Sequence, residues 1–135
     1  MTHLLDTSAL LAHYLDEPGA TQVQSLFEDE ALSVGTSILT LFEFELRLHQ
    51  LGVDIPTCTR DLDRYRGLMT EIVNVDESVR SEAVRLRTAA TARISAMDTL
   101  IAACASLHGA TLVHRDPHFA AIPEFLLRQE VLPTK

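Results

Sequence analysis

Short apolar runs alternate along the chain with longer segments in which apolar residues recur at helical spacing. The runs lie at residues 3–5, 31–34, 72–75 and 110–113, and a last one, 125–132, is broken by polar residues 128–130. Runs this short are typical of strands, and the last is predicted at an edge of the sheet. Helices are predicted at residues 9–15, 20–28, 38–51, 57–70 and 77–88, with another that stops at Gly109. This alternation predicts an α/β fold.

The segment from Ser95 to Asp116 is the most informative part of the pattern. Small residues at positions 102–106 leave little side-chain bulk, so this helix can lie close against a sheet. Asp98 lies in its first turn, and Asp116 comes just after the following apolar run. In a parallel sheet, helix starts and strand ends share the edge at which open α/β sheets bind ligands. Asp6, which ends the first apolar run, is expected at the same edge.

A fourth acid, Glu43, lies on the polar side of the helix predicted at 38–51. At 100° per residue, one polar strip runs along this helix, made of Thr36, Thr40, Glu43, Arg47 and Gln50. Glu45 lies on the opposite, apolar side. Each acid also has a local interpretation, since Glu43 can pair with Arg47 and both Asp6 and Asp98 can cap helices.

Four carboxylates at one edge would repel one another unless they were protonated or bound to metal. Hard oxygen ligands favour Mg²⁺ or Mn²⁺, and one or two such ions suit hydrolysis of phosphodiester bonds without a nucleophilic side chain. The sequence contains no G-x-S-x-G, no H-E-x-x-H and no glycine-rich phosphate loop.

Length and charge are consistent with this prediction. The 135 residues fit one domain spanning 1–135. The net charge of −8 argues against broad adhesion to nucleic acid, but a carboxylate site that binds metal supplies some of that charge. The two cysteines, Cys58 and Cys104, lack metal-ligand spacing and are expected to be reduced. Without a signal peptide or a membrane-spanning run, the chain is expected to be cytoplasmic.

Three segments resemble the acid-bearing motifs of PIN-domain ribonucleases, in particular the VapC-like toxins of type II toxin-antitoxin pairs. They are LLDTSALLA around Asp6, TLFEF around Glu43, and AMDTLIAACASLHGATLVHRDPHF around Asp98 and Asp116. The resemblance implies a three-layer α/β/α sandwich with a mainly parallel sheet. It also implies Mg²⁺- or Mn²⁺-dependent endoribonuclease activity, frequent homodimers and inhibition by a cognate antitoxin protein. The family's catalytic, metal-binding acids fall on the four carboxylates, and its hydroxyl after the first acid falls on Thr7.

Other residues near these motifs are candidates for contact with an RNA substrate. Thr7, Arg93 and Arg115 are placed to touch it, and Arg115 is equally placed to contact an antitoxin. The family often has Thr or Ser where this chain has His114, and another acid or a basic residue in place of Pro117-His118. Either histidine could assist proton transfer or touch phosphate, although packing or surface roles are commoner.

Three alternatives compete with the nuclease hypothesis. A receiver-type phospho-acceptor domain needs paired acids after the first strand and a late lysine, whereas Thr7 follows Asp6 and Lys135 is the last residue. A haloacid-dehalogenase-like phosphatase needs an acid at position 8, which is serine. A PIN-like domain with a non-toxin RNA-processing role, or one that only binds a partner, remains open.

Overall fold

The computed structural model of the chain describes residues 1–134 and has the predicted α/β architecture. Its strands are β1 (His3–Leu5), β2 (Val34–Ser37), β3 (Ile72–Val73), β4 (Thr111–His114) and β5 (Gln129–Val131). Its helices are α1 (Thr7–Tyr14), α2 (Ala20–Glu28), α3 (Ile38–Gln50), α4 (Ile55–Leu68), α5 (Glu77–Ala89) and α6 (Ala96–Leu107), with a 3₁₀ helix at Pro117–Ala121. Over this range, no helix has the length and apolar character needed to cross a membrane.

All five strands run parallel, in the order β3-β2-β1-β4-β5. The chain builds outward from β1 to β3 and then returns to the other side of β1 to form β4 and β5. The direction of winding therefore reverses between β1 and β4. At such a point the carboxyl ends of parallel strands border a crevice in which ligands bind. The residues directly after β1 and β4 lie beside this crevice.

Apolar side chains alternate between the two faces of the sheet. Leu4 and Leu112 pack with residues of α5 and α6, whereas Leu5 and Val113 pack with residues of α1 to α4. All four side chains are fully buried. Coverage of both faces explains why the central strands are continuous apolar runs. The structure confirms the predicted three-layer sandwich with a parallel sheet.

Side-chain caps fix where five of the helices begin. The capping residues of α1, α3, α4, α5 and α6 are Asp6, Ser37, Asp54, Asp76 and Ser95. Each side-chain oxygen accepts a hydrogen bond from the backbone N–H three residues later. These bonds satisfy N–H groups that a helix leaves free in its first turn. Asp6 directly follows β1 and Ser37 is the last residue of β2, so the chain passes from each of these strands into a helix at the carboxyl edge.

Helices α5 and α6 form an antiparallel pair. Ser106, near the end of α6, donates a hydrogen bond to Glu82 in the first half of α5. Thr88, near the end of α5, and Ala96, at the start of α6, line the same groove. The pairing returns the chain to the carboxyl edge before α6 begins, which places the first turn of α6 beside the crevice.

Several element boundaries differ from those predicted. Strand β2 begins at Val34 rather than at 31, because a turn closed by Asp29 occupies the preceding residues. The last strand is the polar segment Gln129–Val131, predicted as an interruption, and it lies at the sheet edge, where polar residues are tolerated. Helix α4 begins before residue 57, because Asp54 caps it and Pro56, in the first turn, has no N–H to leave unpaired.

Candidate functional site

Asp6 is a buried carboxylate at the point where β1 becomes α1. Only 3% of the residue is exposed, and its Oδ1 accepts hydrogen bonds from the Ser8 hydroxyl at 2.7 Å and the Ala9 N–H at 2.9 Å. Burial raises the pKa of Asp6 to about 7; the two hydrogen bonds lower it, and the charges of Asp98 and Asp116 add to the rise. No arginine among residues 1–134 forms an ion pair with Asp6.

Asp98 lies in the first turn of α6, as predicted, and is half-buried. Its backbone N–H donates to the hydroxyl of Ser95 at 3.1 Å. Burial raises the pKa of Asp98; a hydrogen bond with Ser95 lowers it, and the charge of Asp116 raises it further. Asp116, which comes from a different element, therefore lies close enough for its charge to disfavour the ionised form of Asp98.

Asp116 follows β4 and carries a histidine beside it. Its Oδ1 accepts the backbone N–H of His118 at 2.9 Å and lies 2.8 Å from Nδ1 of the same residue. Atoms able to bind metal, one each from Asp98, Asp116 and His118, lie within 4.8 Å of one another. The structure thus brings two predicted acids together with His118, for which the sequence left open either proton transfer or phosphate contact or a surface or packing role.

Glu43 is linked to this region through Thr7. The Thr7 hydroxyl donates a hydrogen bond to Glu43 Oε1, 2.5 Å away, so the acid faces the start of α1 rather than Arg47. Part of the polar strip predicted on α3 is not at the surface. Thr40 is fully buried, and its backbone N–H donates to the Ser37 hydroxyl. Glu43 does not belong to the tight group formed around Asp116.

Ser8 bridges the two strands that border the crevice. Its hydroxyl donates to Asp6 and accepts the backbone N–H of Arg115 at 3.0 Å. One side chain therefore fixes the end of β1 against the end of β4, and with them the spacing of Asp6 and Asp116. Sequence reasoning missed this role, although a hydroxyl two residues after an aspartate commonly forms such a local bond.

The two arginines predicted to contact substrate lie in different environments. The Arg115 guanidinium forms an ion pair with Glu17 and donates to the Pro18 carbonyl oxygen. Only 12% of the Arg115 side chain is exposed, so this group holds the loop after α1. Arg93 is exposed in the loop before α6 and forms none of the ion pairs found in residues 1–134.

His114 is a buried packing residue. The backbone N–H of Asp116 donates to its Nδ1 at 3.0 Å, so the ring proton lies on Nε2, which donates to Gln129 Oε1 at 2.8 Å. Gln129 in turn donates to the Phe119 carbonyl oxygen. Burial lowers the pKa of His114, in keeping with this neutral form. The network supports the 3₁₀ helix that follows Asp116.

The donor set fits a divalent cation. Asp6, Asp98 and Asp116 present carboxylates whose charges act on one another, and the described part of the chain pairs none of them with arginine. Buried carboxylates are normally paired with a cation or bound to metal, and hard oxygen donors suit Mg²⁺ and Mn²⁺. The fold and this site together define an α/β domain with an acidic centre at its switch point.

Comparison with known proteins identifies the family. The PIN domain family profile matches residues 3–124, and the chain belongs to the PIN domain family. No curated protein sequence matches it.

Solved structures with the same fold cover nearly the whole chain. VapBC2 from Rickettsia felis, bound to a promoter DNA fragment, is 22% identical, with 98% of this chain and 100% of that chain covered and a TM-score of 0.78. FitAcB from Neisseria gonorrhoeae is 26% identical, with 95% and 96% covered and a TM-score of 0.72. VapBC-5 from Mycobacterium tuberculosis, of the VapBC family of toxin-antitoxin systems, is 24% identical, with 98% of both chains covered and a TM-score of 0.60.

Proposed function

We propose that this protein is a metal-dependent endoribonuclease that acts as the toxin of a type II toxin-antitoxin pair. The observation that carries the proposal is the group of carboxylates where winding reverses between β1 and β4, none of which pairs with an arginine among residues 1–134. PIN domains are generally nucleases that use a divalent metal, and a group of carboxylates of this kind would bind one.

Asp6, Asp98 and Asp116 are the residues that would hold the ion, with Glu43 completing the acidic side of the crevice. When bound, Mg²⁺ or Mn²⁺ supplies positive charge to the scissile phosphate and makes water a stronger nucleophile near neutral pH. The protein's part is to hold its acids in place. Ser8 orients Asp6, Thr7 orients Glu43 through a hydrogen bond, and neither donor neutralises the acid that it contacts.

Binding of RNA requires a positive surface near these acids. Arg93 is exposed and comes two residues before Ser95, which caps α6, the helix that carries Asp98. An arginine there is suited to bind a phosphate next to the scissile bond, since its guanidinium can donate two parallel hydrogen bonds to phosphate oxygens. We assign this contact to Arg93 rather than to Arg115, whose charge is already paired with Glu17.

The toxin role rests on the similar structures, which include VapBC assemblies and a toxin-antitoxin complex from Klebsiella pneumoniae. By analogy, this chain acts in the cytoplasm, forms a homodimer and is inhibited by a cognate antitoxin. A short reading frame for a DNA-binding antitoxin directly upstream of the coding sequence would support this assignment.

The test is cleavage of single-stranded RNA by purified protein with Mn²⁺, with Mg²⁺ and with chelator, alongside Asp98→Asn. The proposal predicts cleavage with a divalent ion, none with chelator, and loss in the variant together with loss of growth arrest in cells. RNA binding without cleavage under every condition would favour the binding-only alternative. Cleavage without growth arrest would favour a non-toxin role in RNA processing.

A further inference from the structure

His118 adds a nitrogen donor to the acidic centre. A donor atom of its ring and one oxygen each from Asp98 and Asp116 lie within 4.8 Å of one another. The ring belongs to the 3₁₀ helix that follows β4, whereas Asp98 comes from α6. Elements from separate parts of the chain therefore bring two oxygen donors and one nitrogen donor to one place.

The spacing of His118 and Asp116 suits both a hydrogen bond and neighbouring ligands on one ion. Nδ1 of the ring lies 2.8 Å from Oδ1 of the carboxylate. Two donor atoms bound at about 2.1 Å and at a right angle to each other lie about 3 Å apart. The backbone helps to hold this arrangement, because the same Oδ1 accepts the N–H of His118 and Pro117 fixes the backbone between the two residues.

Asp6 is not a member of this group of three residues, but it provides separate evidence for a cation beside it. The residue is 3% exposed, and both hydrogen bonds to its carboxylate go to Oδ1. Its Oδ2 accepts no hydrogen bond from the described residues. The carboxylate nevertheless lies close enough to Asp98 and Asp116 for their negative charges to raise its pKa. Asp6 Oδ2 is not among the fully buried oxygens that lack a hydrogen-bond partner in residues 1–134, so it is open to a metal ion.

We propose that His118 is a ligand of the divalent ion and that the site prefers a first-row transition ion such as Mn²⁺ to Mg²⁺. This inference rests on the proposed function, since it concerns the same acidic centre. Carboxylates alone suit Mg²⁺, whereas imidazole is a preferred ligand of transition ions. As a ligand, Nδ1 uses its lone pair and the ring proton lies on Nε2.

The experiment uses chelator-treated full-length protein and Mn²⁺ as a paramagnetic probe. Electron spin-echo spectra of bound Mn²⁺ report a directly coordinated nitrogen, which a histidine that only bonds to Asp116 does not produce. The variants are His118→Gln and, as a matched control, His49→Gln, which changes an exposed histidine in the last turn of α3. Affinities for Mn²⁺ and Mg²⁺ are measured separately by titration.

We expect the nitrogen signal in the wild type and in His49→Gln, and its loss in His118→Gln. The affinity of His118→Gln for Mn²⁺ should be on the order of 10-fold lower, which is the size of effect usual when a residue that supports a metal site is replaced. Its affinity for Mg²⁺ should change much less. Wild-type protein that binds Mn²⁺ without the signal, or a signal that persists in His118→Gln, overturns the role of His118 and leaves the nuclease proposal intact. Absence of any divalent-ion binding by the wild type overturns both.

Discussion

The hydroxyl of Thr7 donates a hydrogen bond to the carboxylate of Glu43. This bond joins the first residue of α1 to the middle of α3, two helices that begin at the carboxyl edge of neighbouring strands. Because the donor is uncharged, it fixes the position of Glu43 without cancelling its charge. The residue after Asp6 thus orients a second acid.

Replacing Thr7 tests this positioning role. Thr7→Val removes the donor at nearly constant volume and should lower the rate of RNA cleavage about 10-fold, as expected when a residue supporting a metal site is lost. Thr7→Ser keeps the hydroxyl and should retain most of the rate. Cleavage is measured at saturating Mn²⁺, with circular dichroism as the check on folding. Equal rates for Thr7→Val and the wild type would show that Glu43 needs no such support.

The buried Asp6 should make the metal-free protein less stable as the pH rises. Its pKa in the folded state is raised to about 7, so the folded state binds more protons than the unfolded state between about pH 4 and pH 7. The free energy of unfolding therefore falls across this range. Asp6→Asn keeps an oxygen acceptor for Ser8 and Ala9 but removes the charge. In chelator at pH 8 it should be about 2 to 4 kcal/mol more stable than the wild type.

Urea denaturation at pH 4 and at pH 8 measures this difference. The two proteins should converge at pH 4, where Asp6 is protonated in the fold. Added Mn²⁺ should stabilise the wild type more than Asp6→Asn, because ligands that bind the folded state raise its stability. A variant less stable than the wild type at pH 8 without metal would show that the carboxylate has a cationic partner.

The two arginines near the site should respond differently to substitution. Arg93→Gln should leave the free energy of unfolding unchanged and weaken RNA binding. The slope of log affinity against log salt concentration should become shallower by the amount expected for about one lost phosphate contact. Arg115→Gln should lower the free energy of unfolding by about 2 kcal/mol or more, since it removes the positive charge from a largely buried ion pair with Glu17 and the hydrogen bond to the Pro18 carbonyl oxygen. RNA affinity as a function of salt and urea denaturation separate the two effects. Loss of RNA affinity in Arg115→Gln at unchanged stability would reverse the assignment.

The placement of three acids at one edge of the sheet was predictable because it follows from local pattern. Asp6 ends an apolar run, Asp98 opens a helix and Asp116 follows another apolar run, so parallel pairing alone brings them to one edge. The bond from the Arg115 N–H to Ser8 joins residues 107 positions apart, and no local pattern encodes such a contact.

Other features depended on burial, which a single sequence does not reveal. Thr40 has a polar side chain, yet it is fully buried because its hydroxyl bonds to the Ser37 side chain. The final edge strand was predicted, but its residues were not, because β5 is formed by the polar segment that was interpreted as a break, which an edge position permits. His118 gave no helical or strand signal, and its place beside Asp98 depends on how the 3₁₀ helix packs through Phe119, a fully buried residue.

The central claim is that carboxylates meeting between β1 and β4 bind a divalent ion on which RNA cleavage depends. Its most direct test is a Mn²⁺ titration of chelator-treated protein in which ion binding and cleavage of a fluorescent RNA are recorded in the same samples, for the wild type and for Asp98→Asn. The account predicts that binding and cleavage rise together in the wild type and that both are lost in the folded variant. Cleavage that persists in chelator, or Mn²⁺ binding unchanged in Asp98→Asn, would contradict it.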